Sequence, residues 1–455
     1  MRIIVGRGQT PVFMLAVSLL AVELLAGMQS FLSQTVMPLV AAELDGAHLY
    51  GVLNASSQAA MFLTMPLGGW LLSRFRIGPL MLALTLVTVV GAVVCALALS
   101  MQAFISGTVI RALAAGGLAT VSMGAVARGL PPRHRQLVLA GMSGVWVVSS
   151  LVGPAYAASI SSAFGWRWAM VAFLPVLLLV RMMIAYYMPP RSDDEAPEKA
   201  PWAWAIVLAT GALVLSVPAG VWSGLGIAAG GLLMLWAARA LLPAGSLRGA
   251  TGRPAALSAL FVTTGVYFGA ALVLSVVAHD AFGLEAHRYG FIIAAPAFVW
   301  AILGLWCGAH PATRDGFRRR VLTGGAAVAI AIAILLGTTL LASTQGHAWV
   351  GLLAGAGVLG LGMGMIYPDL LGRCFTPPQP GDGISQDRMA AAVILAEAIG
   401  TALVTTVAYS WLGTGFGLVD TSLPRSQILY AGLLPLAVLM IHRLAAASPR
   451  TMASR

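Results

Sequence analysis

The stretch SLLAVELLAGMQSFLSQTV, residues 18–36, sits inside an apolar run that extends over 11–38. Crossing the hydrocarbon of a bilayer takes about 20 mostly apolar residues, so this run is long enough to span. No cleavage signature follows it, and it is expected to be retained rather than removed as a signal peptide. The same pattern recurs along the chain. Hydrophobic residues make up 59% of the 455 and charged residues 9%, whereas a soluble chain carries roughly a quarter charged residues. So few charges cannot cover a globular surface. The composition specifies an all-α polytopic membrane protein with almost nothing left over for a soluble domain.

Apolar runs predict fourteen spans: six between 11 and 188, the second of them at 49–72, then two short ones at 202–219 and 222–241, then six between 256 and 445. The one strongly polar segment, PPRSDDEAPEKAP at 189–201, is rich in proline and charge and reads as a solvated linker. The expected organisation is a six-helix bundle over 1–188, a linker with two inserted helices over 189–255, and a second six-helix bundle with a short tail over 256–455. Two matched sixes suggest a duplicated bundle with a site between halves.

The net charge of +11 comes from 26 basic against 15 acidic residues. It reflects sidedness rather than nucleic-acid binding. With the N-terminus inside and fourteen crossings, 21 basic residues fall on the cytoplasmic side and only Arg167, Arg288 and Arg425 outside. Both termini are then cytoplasmic. Arg111 and Arg181 lie within spans; Arg181 is near enough to the inner surface to snorkel and takes no role. Cys95, Cys307 and Cys374 have no metal-binding spacing and read as small packing residues. His279, Asp280, Glu285, His287 and Arg288 read as a solvated charge run of an external loop.

Glu23 lies near the centre of the first span, where an ionised carboxylate is costly. Glu23, Gly27, Ser30 and Gln34 share one helix face. That stripe should face the bundle interior, with Glu23 either a proton carrier that meets substrate or a protonated structural acid. Asn54, Gln58, Met61 and Met65 form a second stripe, lining the same cavity or tying two helices together. Glu397, followed on its face by Thr401 and Thr405, is a second deep acid and a candidate proton site or substrate contact. Arg111 must be paired or face water, and Glu23 or a backbone carbonyl could partner it. Asp369 is expected to pair with Arg373 one turn away. Trp146, Tyr267, Phe268, Trp300 and Tyr367 could line an apolar cavity, or each could be packing. The sequence holds no Walker A, G-x-S-x-G, H-E-x-x-H or EF-hand pattern, so a gradient rather than ATP would supply energy. No metal, cofactor or catalytic residue is expected.

GGWLLSRFRIGP at 68–79 resembles the loop motif G-x-L-A-D-R-x-G-R-K of the major facilitator superfamily. Gly69, Leu71 and Arg74 match, whereas Ser73 stands where the family has Asp and Ile77 where it has Arg. RALAAGGLA at 111–119 is similar to the fourth-span motif R-x-x-Q-G-x-G through Arg111 and Gly117. SLVGPAYAAS at 150–159 resembles the fifth-span antiporter motif through Gly153 and Pro154, and GWRW at 165–168 is also family-like. Together with fourteen spans, these motifs look like the fourteen-span drug:proton antiporter (DHA2-like) branch. The resemblance implies gating roles for Gly69, Ser73, Arg74, Gly153 and Pro154, proton coupling through Arg111 and the deep acids, and export rather than uptake. The expected function is therefore proton-coupled export of lipophilic small molecules or drugs, cations among them, with protons and membrane lipids as the other partners and a monomeric chain. The rivals are an exporter of an endogenous lipid or envelope metabolite, an uptake facilitator of the same fold, and a transport-inactive receptor or scaffold. The arginine, alanine and glycine bias suggests a bacterial inner membrane.

Overall fold

The computed structural model describes residues 10–188, 201–216, 222–248, 252–312, 314–376 and 386–448. The polar linker at 189–200 and the Pro218-Ala219-Gly220 break lie outside the described residues. The apolar runs become helices, because in hydrocarbon a helix satisfies its backbone groups within the segment. In chain order these are α1 (Thr10–Glu43), α2 (Tyr50–Thr64), α3 (Gly68–Arg74), α4 (Ile77–Ala96), α5 (Met101–Gly129) and α6 (Pro132–Phe164). Then follow α7 (Trp166–Val171), α8 (Leu174–Tyr187), α9 (Trp202–Val214), α10 (Ser223–Leu241), α11 (Arg253–Ala271) and the single turn α12 (Leu274–Val276). After a π-turn at Val277–Ala281 come α13 (Ala286–Ala309), α14 (Arg314–Leu341), α15 (Gln345–Cys374), α16 (Gln386–Thr414) and α17 (Ser422–Ala447).

Twelve of the expected spans, not fourteen, are helices long and apolar enough to cross a membrane among the described residues. The two that fall short have local causes. In 49–72 the helix is interrupted by the 3₁₀ turn Met65–Leu67 around Pro66, which leaves α2 with 15 residues and α3 with 7. Proline lacks the N–H that would continue the ladder. The 202–219 stretch yields only α9, of 13 residues. Across the break between α7 and α8, Trp166–Tyr187 counts as one span.

The chain divides into two compact units, Met1–Gly46 with Ser56–Thr210, and Ala47–Ala55 with Gly211–Arg455. In the first unit α1 lies along α6 and α4 along α5. In the second, α15 lies between α13 and α14, and α11 lies along α16 and α17. Lipid is as apolar as leucine, so such helices associate through close packing of small residues. Gly91 of α4 faces the Gly107 carbonyl of α5, where an added Cβ would lie 2.6 Å from the oxygen. Gly265 of α11 and Gly400 of α16 make the same kind of seam, the latter 2.1 Å from the Phe261 carbonyl oxygen by that measure. Gly360 of α15 meets the carbonyl of Pro296 in α13 at 2.2 Å.

The Gly360 seam is testable against Gly357, one turn earlier on the same helix, whose Cβ position is open to 4 Å. Both substitutions to Val carry the same helix-propensity cost, so the difference isolates the crossing. Gly360→Val is expected to lose about 1–3 kcal/mol more stability than Gly357→Val, read as thermal unfolding of the purified protein in detergent. Equal midpoints would mean that α13 and α15 do not cross there.

Candidate functional site

In the first unit, Glu23 sits part-buried in the middle of α1. Arg181 of α8 lies within electrostatic reach of it. Arg181 is 4% exposed and does not snorkel. Its neighbours Val180 and Ile184 are buried with it, so this face of α8 turns toward the protein rather than toward the membrane surface. Its Nη1 also lies 3.5 Å from Ser122 Oγ of α5. The α1 stripe is not uniformly interior. Gly27 is buried and Gln34 half-buried, but Ser30 is exposed, and the Gln34 amide donates back to the Ser30 carbonyl at 3.3 Å.

The fifth-span Gly-Pro pair lies in α6 with both residues buried. A Cβ on Gly153 would come within 2.8 Å of Phe31 Cβ and 3.3 Å of Met28 Cα. One turn earlier, Ser149 Oγ donates to the Leu24 carbonyl at 3.0 Å. The motif therefore presses α6 onto the turns of α1 that follow Glu23. GWRW has a structural task at the far end of α1. Trp166 Nε1 donates to Glu43 Oε2 at 2.6 Å, Arg167 pairs with the same carboxylate, and Arg167 also donates to the Ala98 carbonyl at 3.0 Å.

Arg111 is half-buried in α5, its stem against Gly91, and its Nε is buried without a hydrogen-bond partner among the described residues. Gln58 and Met61 are half-buried in the first unit, and Thr64 Oγ1 donates to the Leu113 carbonyl at 2.8 Å, tying α2 to α5. Arg74 ends α3 and is exposed. The side chains of Gly69, Ser73 and Trp146 lie outside the described residues.

In the second unit, residues picked singly from the sequence come together. Tyr267 and Phe268 of α11, Trp300 of α13 and Tyr367 of α15 form a connected aromatic group. The ring centroids are 5.3 Å apart for Tyr267–Trp300, 5.2 Å for Trp300–Tyr367 and 6.2 Å for Phe268–Trp300, all edge to face. The Tyr367 hydroxyl donates to Glu397 Oε1 of α16 at 2.8 Å. The glycine seams set this up. Gly364 backs onto the Trp300 carbonyl and Gly360 onto that of Pro296, so α13 and α15 run close enough for Trp300 and Tyr367 to touch. Asn54, counted in this unit, donates to Thr406 Oγ1 at 3.0 Å and lies 3.4 Å from Thr405 Oγ1, so it ties the start of α2 to α16.

Asp369 does not pair with Arg373. Its Oδ2 lies 3.3 Å from Arg320 Nη1, and its Oδ1 accepts from the Ala312 N–H at 3.2 Å. Arg320 also donates to the His310 carbonyl at 2.7 Å. On α15 the Asp369 side chain points into the protein, whereas an i, i+4 pair needs both groups on the helix surface. The 279–288 cluster is not a plain solvated run either. The ring of His279 is 2.7 Å from Asp280, and both are part-buried at the π-turn, while the Asp280 carbonyl accepts from Ser422 at 2.6 Å.

Apolar helices packed through glycine, with polar groups such as Ser149 and Asp369 answered by neighbouring helices of the same unit, define a multi-pass membrane protein. The fold is that of solved transporters: PepTSo of the POT family (TM-score 0.63, 16% identity, covering 94% of this chain and 97% of that one) and the xylose transporter XylE of E. coli in a partially occluded inward-open conformation (TM-score 0.61, 15% identity, 98% and 100%). Residues 19–374 match the Major Facilitator Superfamily, and the chain belongs to that family, whose members are transporters rather than enzymes. Weaker similarity links it to efflux proteins. Multidrug resistance protein 3 of Bacillus subtilis is 23% identical over 335 residues, 70% of this chain and 64% of that protein. Multidrug export protein EmrB of Haemophilus influenzae is 30% identical over 165 residues (35% and 32%), and the MFS-type transporter TOXA of Cochliobolus carbonum is 28% identical over 188 (40% and 34%). The chain spans about a third of the length of the curated relatives it matches first.

The Glu23–Arg181 juxtaposition predicts coupling between the two residues. Arg181→Met alone leaves an acid in the apolar interior without its cation, and Glu23→Gln alone strands the arginine. The double variant should be more stable than the sum of the single losses by about 0.5–3 kcal/mol, measured by unfolding in detergent. Simple additivity would show that the two side chains do not interact.

Proposed function

We propose that the chain is a proton-coupled antiporter that exports lipophilic small molecules, cations among them, by alternating access. Family membership supports transport as such. The observation that carries the export reading is the packing of Gly153 and Ser149 onto α1 at Met28, Phe31 and Leu24, directly beyond Glu23. The Gly-Pro motif associated with exporters bears on the helix that carries the acid, so a change in the charge of Glu23 and a shift of α6 would be mechanically linked. Similarity to efflux proteins from bacteria and fungi supports the same direction.

In this reading Glu23 and Glu397 are the proton-coupling acids, one in each unit, and Arg111 assists. Protons enter from outside, substrate is released there, and the protons leave inside. A carboxylate that holds either a proton or a substrate exchanges one for the other without ATP. The two halves that move are residues 1–188 and 256–455. In this reading both termini face the cytoplasm of a bacterial inner membrane, with the excess of basic residues as the support.

Proteoliposomes with an imposed pH gradient and an internal pH dye test this. Lipophilic cations and neutral drugs should trigger proton movement in the wild type, and Glu23→Gln should abolish it. Undiminished, gradient-driven transport in Glu23→Gln would remove Glu23 from the mechanism. Silence of the wild type with every cation and neutral compound would argue for an anionic endogenous cargo or for a protein that does not transport.

A further inference from the structure

A group of polar residues apart from both deep acids lies at the end of the second unit where α11 finishes and α13, α15 and α17 begin. There the chain leaves α-helical geometry for the π-turn Val277–Ala281, a departure that recurs at functional sites. The backbone of the turn is held from several sides. Ser422 Oγ of α17 donates to the Asp280 carbonyl at 2.6 Å, the Gly283 N–H to the His279 carbonyl at 2.8 Å, and the Leu284 N–H to the Ala278 carbonyl at 3.0 Å. The side chains of His279 and Asp280 keep room to turn, at 28% and 23% exposed.

Two donors face the one Asp280 carboxylate. His279 Nδ1 lies 2.7 Å from its Oδ1. Tyr50, the first residue of α2, is 1% exposed and brings its hydroxyl within electrostatic reach of the same carboxylate, yet that hydroxyl makes no hydrogen bond among the described residues. A buried hydroxyl left unpaired is costly, so the observed pairing has a competitor in which Asp280 serves Tyr50. The charge on His279 decides between them. An imidazolium makes a charge-assisted hydrogen bond, roughly twice as strong as a neutral one, and keeps the carboxylate. A neutral imidazole has no such advantage, and pairing the stranded phenol then draws the carboxylate to Tyr50. Histidine is the side chain whose ordinary charge change falls between pH 5 and 8.

The other titratable groups around the turn are placed differently. Tyr289 of α13 stands edge to face with the His279 ring at 6.4 Å and senses Asp280. Tyr409 of α16 faces Tyr50 and donates to the Leu272 carbonyl. Arg425 of α17 senses Asp280 and Asp420, but its guanidinium donates to the Val419, Leu412 and Gly413 carbonyls. The Glu285–His287 pair before and within α13 is exposed and closed on itself at 3.1 Å. His347 of α15 and His48 beside Tyr50 are exposed, and α12 holds no titratable residue.

We propose that His279 is a protonation site that works a clasp on the start of α2, with the Asp280 carboxylate passing between His279 and Tyr50. With His279 neutral, the carboxylate takes the Tyr50 hydroxyl and fastens α2. With His279 protonated, it stays on the imidazolium and α2 is released. The clasp is therefore present above the pH range in which His279 titrates and is lost as the pH falls through it. The structure holds the released arrangement. Tyr50 sits where release matters, because residues 47–55 are counted with the second unit whereas α2 belongs to the first from Ser56 onward. The clasp itself rests on this geometry; that the proton comes from outside the cell, and that freeing α2 serves export, rest on the export reading.

The test is hydrogen–deuterium exchange of residues 47–60 in the purified full-length protein, without any gradient, at about pH 5.5 and about pH 8.5, corrected for the intrinsic pH dependence of exchange. Transport under a pH gradient is measured separately. In the wild type this segment is expected to be about fivefold or more better protected at the higher pH, the size of one buried hydrogen bond gained. Tyr50→Phe keeps the ring and loses the donor, so it should exchange at both pH values as the wild type does in acid. His279→Leu cannot be charged and should stay protected at both; His279→Gln, neutral but polar, must lack the pH step as well. Thermal unfolding of each variant separates a lost clasp from a lost fold. A step that survives in folded Tyr50→Phe or in both folded His279 variants overturns the clasp. So does a step of opposite sign, or none in the wild type. A step that vanishes as expected, in a protein that shows no gradient-driven transport, would leave the clasp standing and the export reading fallen. Gradient-driven export by a protein without the step would do the reverse.

Discussion

The middle of a bilayer offers no water, so each polar group carried into it has to be answered by another part of the chain. Most of the local architecture follows from that constraint. Hydroxyls fold back onto their own helix, as Thr85 does onto the Met81 carbonyl at 2.7 Å, or cross to a neighbour, as Ser149 does to Leu24. Amides do the same, and Asn54 spends its donor on the threonines of α16. Charged groups need more. Arg181 and Glu23 lie within reach of each other, Arg320 answers Asp369, and Arg167 with Trp166 answers Glu43 at the end of α1.

Those partnerships depend on how closely the helices approach, and glycine sets the approach. Where Gly91 meets the Gly107 carbonyl, or Gly400 that of Phe261, no side chain holds the backbones apart. Dispersion between close-packed surfaces then replaces the hydrophobic drive that lipid cannot supply. The aromatic group shows the consequence. Trp300 and Tyr367 touch because α13 and α15 cross at Gly360 and Gly364, and Tyr367 reaches Glu397 from that position. Pro296 and Pro368 lie in the same two helices, and each removes a backbone donor from its helix.

Much of the candidate site was legible residue by residue. Glu23 and Glu397 stand out because a carboxylate within an apolar run is costly wherever it lies. Tyr267, Phe268, Trp300 and Tyr367 were visible as aromatics inside spans, but not as neighbours, since they come from three helices spread along the chain. Arg181 was misread for a similar reason. With six residues between it and the end of α8, its long side chain could be read as reaching the membrane surface, and only packing shows that this face of α8 turns inward. Asp369 and Arg373 have the spacing of a surface pair, yet a residue 49 positions earlier, Arg320, takes the carboxylate. An unmatched cation within VLLLVRMMIAYY was the available signal for the first case, and the arginine run in the first turns of α14 for the second.

The sequence by itself determined the class of the protein, nearly all its membrane-crossing helices, the family motifs and the expensive acids. Composition, run length and residue chemistry act locally, and the bilayer turns them directly into helices. Tertiary structure decided the count of full-length spans, where Pro66 interrupts a run that hydropathy alone would carry across. It also decided which charge answers which, and that four scattered aromatics form one group whose Tyr367 holds Glu397. A hydropathy pattern records how far a segment extends through the membrane. Side-chain partnerships depend on the rotation of each helix about its axis and on which neighbour it faces, and those follow from close packing between segments distant in the chain.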